Sequence, residues 1–138
     1  MTDSGLRPPH IESSDRRVII AFNNVTIAET SRALLVLEDG HPPSWYIPPE
    51  DVRVEHLQRE QTITFCEWKG FAHYYTIDVD GKKSPAAAWG YSDPNSEYLG
   101  IKHHVAFYAN RVDTCTVDGV AVIPEGGEFY GGWITANE

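Results

Sequence analysis

From Thr62 to Tyr75 the chain reads TITFCEWKGFAHYY, two β-rich segments on either side of Lys69-Gly70. β-Branched and aromatic residues at this density suit a pleated, half-buried surface, and the Lys-Gly step suits a tight turn. The stretch therefore predicts a strand, a turn and an antiparallel partner strand. Such a ladder brings the side chains of both strands together across one face. A cysteine, a lysine, a histidine and two adjacent tyrosines lie within it, so any chemistry in the chain is expected here. The remainder agrees with a β fold, because 11 glycines and 9 prolines among 138 residues break it into short elements.

A chain of this length supports one hydrophobic core and is too short for two ordinary domains. Residues 1–15 are polar, contain prolines and lack periodicity, so they are read as a flexible leader to a single domain spanning 16–138. The formal charge of −9 opposes docking on a phosphate backbone or an anionic lipid surface, and neither nucleic acid nor membrane is an expected partner. No window approaches the roughly 18 to 20 apolar residues of a membrane-crossing helix. The N-terminal segment lacks the apolar centre of a signal peptide. A cytoplasmic protein is expected, with Cys66 and Cys115 as reduced thiols in strand-like runs.

Along the chain, RVIIAF and VTIAE flank Asn23-Asn24, whose tolerance of positive φ predicts a hairpin. SRALLVLE is read as mostly strand. GHPPSWYIPPEDV carries four prolines, which argues against a central strand and for a chain reversal or an edge, with one helical turn at Pro48-Pro49-Glu50-Asp51. VRVEHL, TITFCEW and FAHYYTIDV are predicted strands, the last ended by the turn signal Asp80-Gly81. Ser84 to Tyr91 is apolar and compact, SDPNSEYLGI a turn with a short helix, HHVAFY and RVDTCTV a hairpin through Ala109-Asn110, and the Gly-rich remainder a loop with a last strand.

Several separated pieces resemble the DUF427 family: Arg32-Ala33-Leu34 with Leu37-Glu38; Trp45-Tyr46-Ile47-Pro48 with Asp51-Val52; Cys66, Lys69-Gly70, Ala72 and Tyr74-Tyr75; Ala87-Ala88-Trp89 with Tyr91 and Pro94; and Val105-Ala106-Phe107-Tyr108. The resemblance runs from about Arg17 to Val117. It implies a mainly β fold of two antiparallel sheets in a β-tent (Mss4-like) arrangement with one or two short helical turns. Some relatives in that broader fold hold zinc on paired C-x-x-C knuckles. Here two cysteines stand 49 residues apart without such a motif, so no metal and no cofactor is expected. The nucleotidyltransferase activity sometimes attached to the family finds no Gly-rich phosphate loop in these residues.

Four groups of residues bear on function. Cys66 beside Lys69 suits a nucleophile or redox sensor, since a nearby ammonium favours the thiolate, and equally suits a buried cysteine next to a turn lysine. His73, His103 and His104 form a metal or acid–base set only if their strands are neighbours, and consecutive His103 and His104 point to opposite faces. Glu38 is read either as the partner of Arg32 or as a buried base. Finally, Thr62, Thr64, Cys66, Tyr74, Thr76, His104 and Tyr108 share one face if the strands pair as read, with Trp45, Tyr46, Trp89 and Tyr91 at its rim. Aromatic walls with a few placed polar groups describe a small-molecule pocket, or else a core. The expectation is a protein that binds or transforms a small organic molecule. Tyr46, Tyr74, Trp89 and Tyr91 hold the ligand, Lys69 meets its negative group, and Glu38, His104 or Cys66 carries any reaction. The alternative is a non-catalytic interaction module with an exposed aromatic patch.

Overall fold

The computed structural model describes residues 8–126 and 131–135. Strands form wherever apolar and polar residues alternate between turn signals. They are β1 (His10–Ser13), β2 (Val18–Phe22), β3 (Val25–Thr30), β4 (Leu34–Leu37), β5 (Ser44–Ile47), β6 (Leu57–Cys66) and β7 (Gly70–Val79) in the first part of the chain. β8 (Lys82–Gly90), β9 (Val105–Phe107), β10 (Thr114–Val117), β11 (Val120–Ala121), β12 (Ile123–Pro124) and β13 (Trp133–Ile134) follow. Helical structure is confined to short 3-10 turns at Pro49–Asp51, Val54–His56, Ser96–Ile101 and Ala109–Arg111. Among the described residues no helix is long and apolar enough to cross a membrane.

The strands build a seven-stranded sheet in the order β1-β4-β5-β9-β8-β7-β6, a four-stranded sheet β11-β10-β2-β3, and a two-stranded ribbon β12-β13. The named strands pair antiparallel throughout, as the hairpin signals require. Asn23 and Asn24 take φ of 49° and 67° between β2 and β3, and Asp80 and Gly81 take 52° and 86° between β7 and β8. Both are the left-handed pairs that a two-residue hairpin of the right twist needs.

Strict alternation divides the large sheet into two buried faces. Trp45 and Ile47 of β5, Ala88 of β8, and Val105 and Phe107 of β9 enter one core with Val18, Ile20 and Phe22 of β2, Ile27 of β3, and Cys115 and Val117 of β10. That core is shared by both sheets. Their neighbours Tyr46, Trp89 and Ala106 face the other way into a second core with Ala72, Tyr91 and Tyr108, against which Tyr98 and Ile101 of the third 3-10 turn pack. The cavity described below opens on this second face.

Five readings of the sequence change. Residues 10–13, assigned to the leader, form β1 at the sheet edge, because Ile11 finds the second core and Tyr98 Oη donates to Pro9 O at 2.7 Å; residues 1–7 lie outside the described residues. β5 runs between β4 and β9 in the interior, not at an edge, since the proline pairs at 42–43 and 48–49 flank it and leave Ser44–Ile47 its N–H groups. VRVEHL is no strand: Arg53 N–H is taken by Ile27 O at 2.8 Å, and Val54–His56 turns before β6 begins. The apolar run through Ala87-Ala88-Trp89 is a full strand, β8. Its register against β7 shifts between Tyr75 and Ile77, and Ala86 takes a φ of 49°. Glu60 serves that irregularity, its Oε2 accepting from Ala86 N–H and Thr76 Oγ1 at 2.6 Å each. Lastly, β9 and β10 are not a hairpin. Ala106, opposite Tyr46 and Trp89, fits β9 between β5 and β8, while the turn at Ala109–Arg111 carries the chain to β2 in the other sheet.

Candidate functional site

On the second face a cavity of about 190 Å³ is lined by Val36, Glu38, Tyr46, Lys69, Tyr74, Trp89, Tyr91 and Tyr108, together with His41, Pro42, Ser44, Glu125 and Gly131. Strand alternation supplies the floor, as Tyr46, Tyr74 and Trp89 point the same way from β5, β7 and β8. Trp89 Nε1 donates to Tyr46 Oη at 3.1 Å, and the two rings meet edge-on with centroids 6.1 Å apart. Tyr74 Oη shares a hydrogen bond of 2.9 Å with Thr64 Oγ1 on β6.

Lys69 comes from the β6–β7 turn and is nonetheless buried. Asn95 holds that turn, donating its N–H to Lys69 O at 2.9 Å and its Nδ2 to Trp68 O at 2.8 Å. The turn is thereby folded inward, and Lys69 Nζ donates to Glu38 Oε1 at 2.9 Å and lies 5.7 Å from the Tyr91 ring centroid. The lysine side chain is 8% exposed against 36% for Glu38, so the charge pair spans the cavity wall from inside to rim. Burial works to lower the Lys69 pKa, but attraction to the Tyr46 oxygen and the Glu38 carboxylate outweighs it and holds the ammonium above the ordinary lysine value. Burial first, then Tyr46, pushes the Tyr91 hydroxyl up, and burial does the same to Tyr46. Tyr108 rises to about 12 through burial and its neighbour Tyr74. At neutral pH the cavity thus presents a charged ammonium and protonated phenols.

Opposite the strand residues stands a pair from two loops. The β4–β5 turn is closed by His41 N–H donating to Glu38 O at 3.1 Å, with Gly40 at a φ of 82°. The same short turn therefore sets both Glu38 and His41. His41 Nδ1 meets Glu125 Oε2 at 2.5 Å, while Glu125 Oε1 accepts from Gly132 N–H at 3.1 Å. Glu125 reaches this place because the β12–β13 ribbon is tied to the strip before β5, Trp133 N–H donating to Pro43 O at 2.9 Å. The fit requires glycine: a Cβ on Gly131 would lie 2.2 Å from the Trp89 ring, and one on Gly132 would lie 2.4 Å from Pro42 O.

Of the residues singled out in the sequence, Glu38, Tyr46, Lys69, Tyr74, Trp89 and Tyr91 come together here. Cys66 ends β6 beside this group, close enough to act electrostatically on Lys69 and Tyr91, but it does not line the cavity. His104 is not brought in. It precedes β9 rather than belonging to it, and its Nδ1 lies 3.1 Å from Lys102 O. His103 beside it has a φ of 63°, which breaks the alternation on which the shared face depended. His73 packs on Arg59 elsewhere on β7, and among the described residues no group of three or more His, Cys, Asp or Glu side chains is arranged to hold a metal. Arg32 pairs with Asp51 through two hydrogen bonds of 3.0 and 3.1 Å, which leaves Glu38 to Lys69. Both cysteines are free thiols, in different sheets. His41 and Glu125 were missed in the sequence.

Comparison with known proteins gives one family. The model described as "Domain of unknown function (DUF427)" matches residues 10–118, which takes in every cavity residue except Glu125 and Gly131. No curated protein matches the chain.

Proposed function

The chain belongs to the DUF427 family, whose description assigns no activity, and from its cavity we propose that it binds a small, uncharged, oxygen-bearing organic molecule. The observation that carries this reading is the set of unused donors. An ammonium has three N–H groups. Glu38 accepts one of those of Lys69, and among the described residues neither the others nor the Tyr91 hydroxyl has a hydrogen-bond partner. Neither group is sealed from solvent, and a ligand that displaces water from the cavity must accept from them or leave them desolvated at a cost. A ligand oxygen placed between Lys69 and Tyr91 accepts from both, with the carbon skeleton against Trp89 and Tyr108.

Charge decides between an anion and a neutral acceptor. Lys69 is already paired with Glu38, and Glu125, in contact with His41, adds a second carboxylate. Among the described lining residues one ammonium faces two carboxylates, which does not favour an anion, so a carbonyl or hydroxyl oxygen fits better than the negative group expected from the sequence. We also read the meeting of the two sheets as a β-tent, and place the protein in the cytoplasm, where Cys66 and Cys115 stay reduced.

A thermal-shift panel of small ketones, polyols and matched carboxylates tests the proposal. A neutral ligand at about 100 times its dissociation constant adds about 2.7 kcal/mol of stability. Larger shifts with the carboxylates would reject the charge argument, and no shift with any compound would reject the binding site. A second reading, a docking module, draws on a different surface: Ile63, Phe65 and Phe71 on β6–β7 are more than half exposed, the two phenylalanine rings 5.0 Å apart. Phe65→Ser separates the two readings, because it alters that patch and leaves the cavity untouched.

A further inference from the structure

We propose that Glu38 and Lys69 act together as an acceptor and a donor that read the edge of a primary amide, so the ligand of the cavity carries an N–H on the same carbon as its carbonyl oxygen. The inference rests on the binding reading above and names the ligand class of the same site. It starts from what the polar groups of the cavity have left to give. Tyr46 Oη already accepts from Trp89 Nε1 at 3.1 Å, and Tyr74 Oη is engaged with Thr64 Oγ1 at 2.9 Å. Glu38 and Lys69 both line the cavity and are less committed. An ionised carboxylate has about four acceptor positions. Among the described residues that of Glu38 receives one hydrogen bond, from Lys69 Nζ. The open donors of Lys69 therefore have an open acceptor directly beside them.

Spacing decides what can use both. Lys69 Nζ and Glu38 Oε1 lie 2.9 Å apart, side by side like the oxygen and the N–H of a primary amide. The amide oxygen accepts from Lys69 while its N–H donates to the Glu38 carboxylate, the same two-point pairing that an Asn side chain makes with the adjacent donor and acceptor of adenine. A ketone makes only the first of these bonds and strips water from the carboxylate without replacing it, which costs affinity. A carboxylate ligand sets its second oxygen against Glu38, acceptor to acceptor. A vicinal diol makes both bonds, but its carbons are tetrahedral, and a planar amide lies flatter against aromatic rings such as Tyr91, whose centroid is 5.7 Å from Lys69 Nζ. Both charged groups are held in advance. His41 N–H donating to Glu38 O at 3.1 Å closes the turn after β4, and Asn95 fixes the turn that carries Lys69. Such preorganisation spares the ligand the cost of ordering them. With Lys69 8% exposed and Glu38 36%, the carbonyl points inward and the N–H toward the rim.

Calorimetry on the full chain with benzamide, acetophenone, benzoate and styrene glycol tests the inference. These probes share a phenyl ring and differ in the group they offer to Glu38 and Lys69. Benzamide is expected to bind about tenfold or more tightly than acetophenone, the difference that a hydrogen bond to a charged acceptor makes. Glu38→Gln supplies the second arm. Its side-chain carbonyl still accepts from Lys69, which turns the NH2 group toward the ligand N–H, so benzamide should lose its advantage while acetophenone keeps its affinity. A merely structural role for Glu38 would weaken both probes alike. Acetophenone or the glycol binding the wild-type chain as tightly as benzamide, or a benzamide preference that survives in Glu38→Gln, overturns the amide assignment and leaves the binding site standing. Tightest binding by benzoate overturns it together with the charge argument. If no probe binds, both readings fall. The comparison on the wild-type chain needs no variant, so poor folding of Glu38→Gln does not remove the test.

Discussion

Trp45 and Trp133 stack with centroids 5.6 Å apart and rings 14° from parallel, yet their indole N–H groups fare differently. Trp133 Nε1 donates to Phe107 O at 2.9 Å, whereas Trp45 Nε1 is buried with no partner among the described residues. Both side chains are almost wholly buried, so replacement by phenylalanine removes similar volume and the hydrogen bond separates the two. Trp133→Phe is expected to destabilise by about 1–3 kcal/mol more than Trp45→Phe, because it strands a buried carbonyl while the other change removes an unsatisfied donor. Urea unfolding of the two variants side by side measures that difference. Tyr91 poses the same question at the cavity. Tyr91→Phe keeps the ring near Lys69 and removes a hydroxyl that has no hydrogen-bond partner among the described residues, so the melting temperature should hardly move. Affinity for a bound carbonyl compound should fall by about 0.5–1.5 kcal/mol in calorimetry. A large fall in melting temperature with unchanged affinity would assign Tyr91 to the scaffold.

At the scale of elements, what could be read in advance divides by the range of the interaction. Asn23-Asn24 and Asp80-Gly81 announce their hairpins locally, because a left-handed pair is written in two adjacent residues. The strand-borne part of the cavity was legible for a related reason: alternation puts Tyr46, Tyr74 and Trp89 on one side once the strands are granted. His41 and Glu125 were not, being 84 residues apart and joined only when the β12–β13 ribbon docks beside Pro42-Pro43. The steps Pro42-Pro43 and Gly131-Gly132 were the available signal, two backbones that approach closely enough to exclude side chains. Local rules also misplace β9 and β10, whose partners are distant strands rather than each other. The ribbon's docking can be tested. Gly131→Ala drives a Cβ into Trp89 and should cost about 1–3 kcal/mol by overpacking, and most of that cost should vanish in a Trp89→Leu background. An additive pair of effects would show that the ribbon does not rest on Trp89.

For the whole molecule, the buried titratable groups set a one-sided response to alkali. Burial pushes the Cys115 thiol up to about 12, and Tyr108 reaches about 12 through burial and Tyr74. Tyr46, Tyr91 and Lys69 are also raised. Each of these folded-state values lies above that of the unfolded chain, so the stability they contribute is fully present below the unfolded pKa and is lost as pH climbs through the folded one. Cys115 begins first, since a free thiol titrates at about 8.5. From there to about pH 12 it removes about 1.4 kcal/mol per pH unit, with tyrosines joining above about pH 10. The chain's formal charge of −9 adds self-repulsion that grows over the same range, and a falling stability alone does not distinguish the two causes. Cys115→Ala does. It keeps the charge at pH 7 and deletes the earliest-titrating buried group, so urea unfolding at pH 7, 9 and 10 should show a slope between 9 and 10 that is markedly flatter in the variant, from a starting stability lowered by the small cavity. Parallel slopes in the two proteins would mean that the Cys115 thiol is reached by solvent and ionises in the folded state.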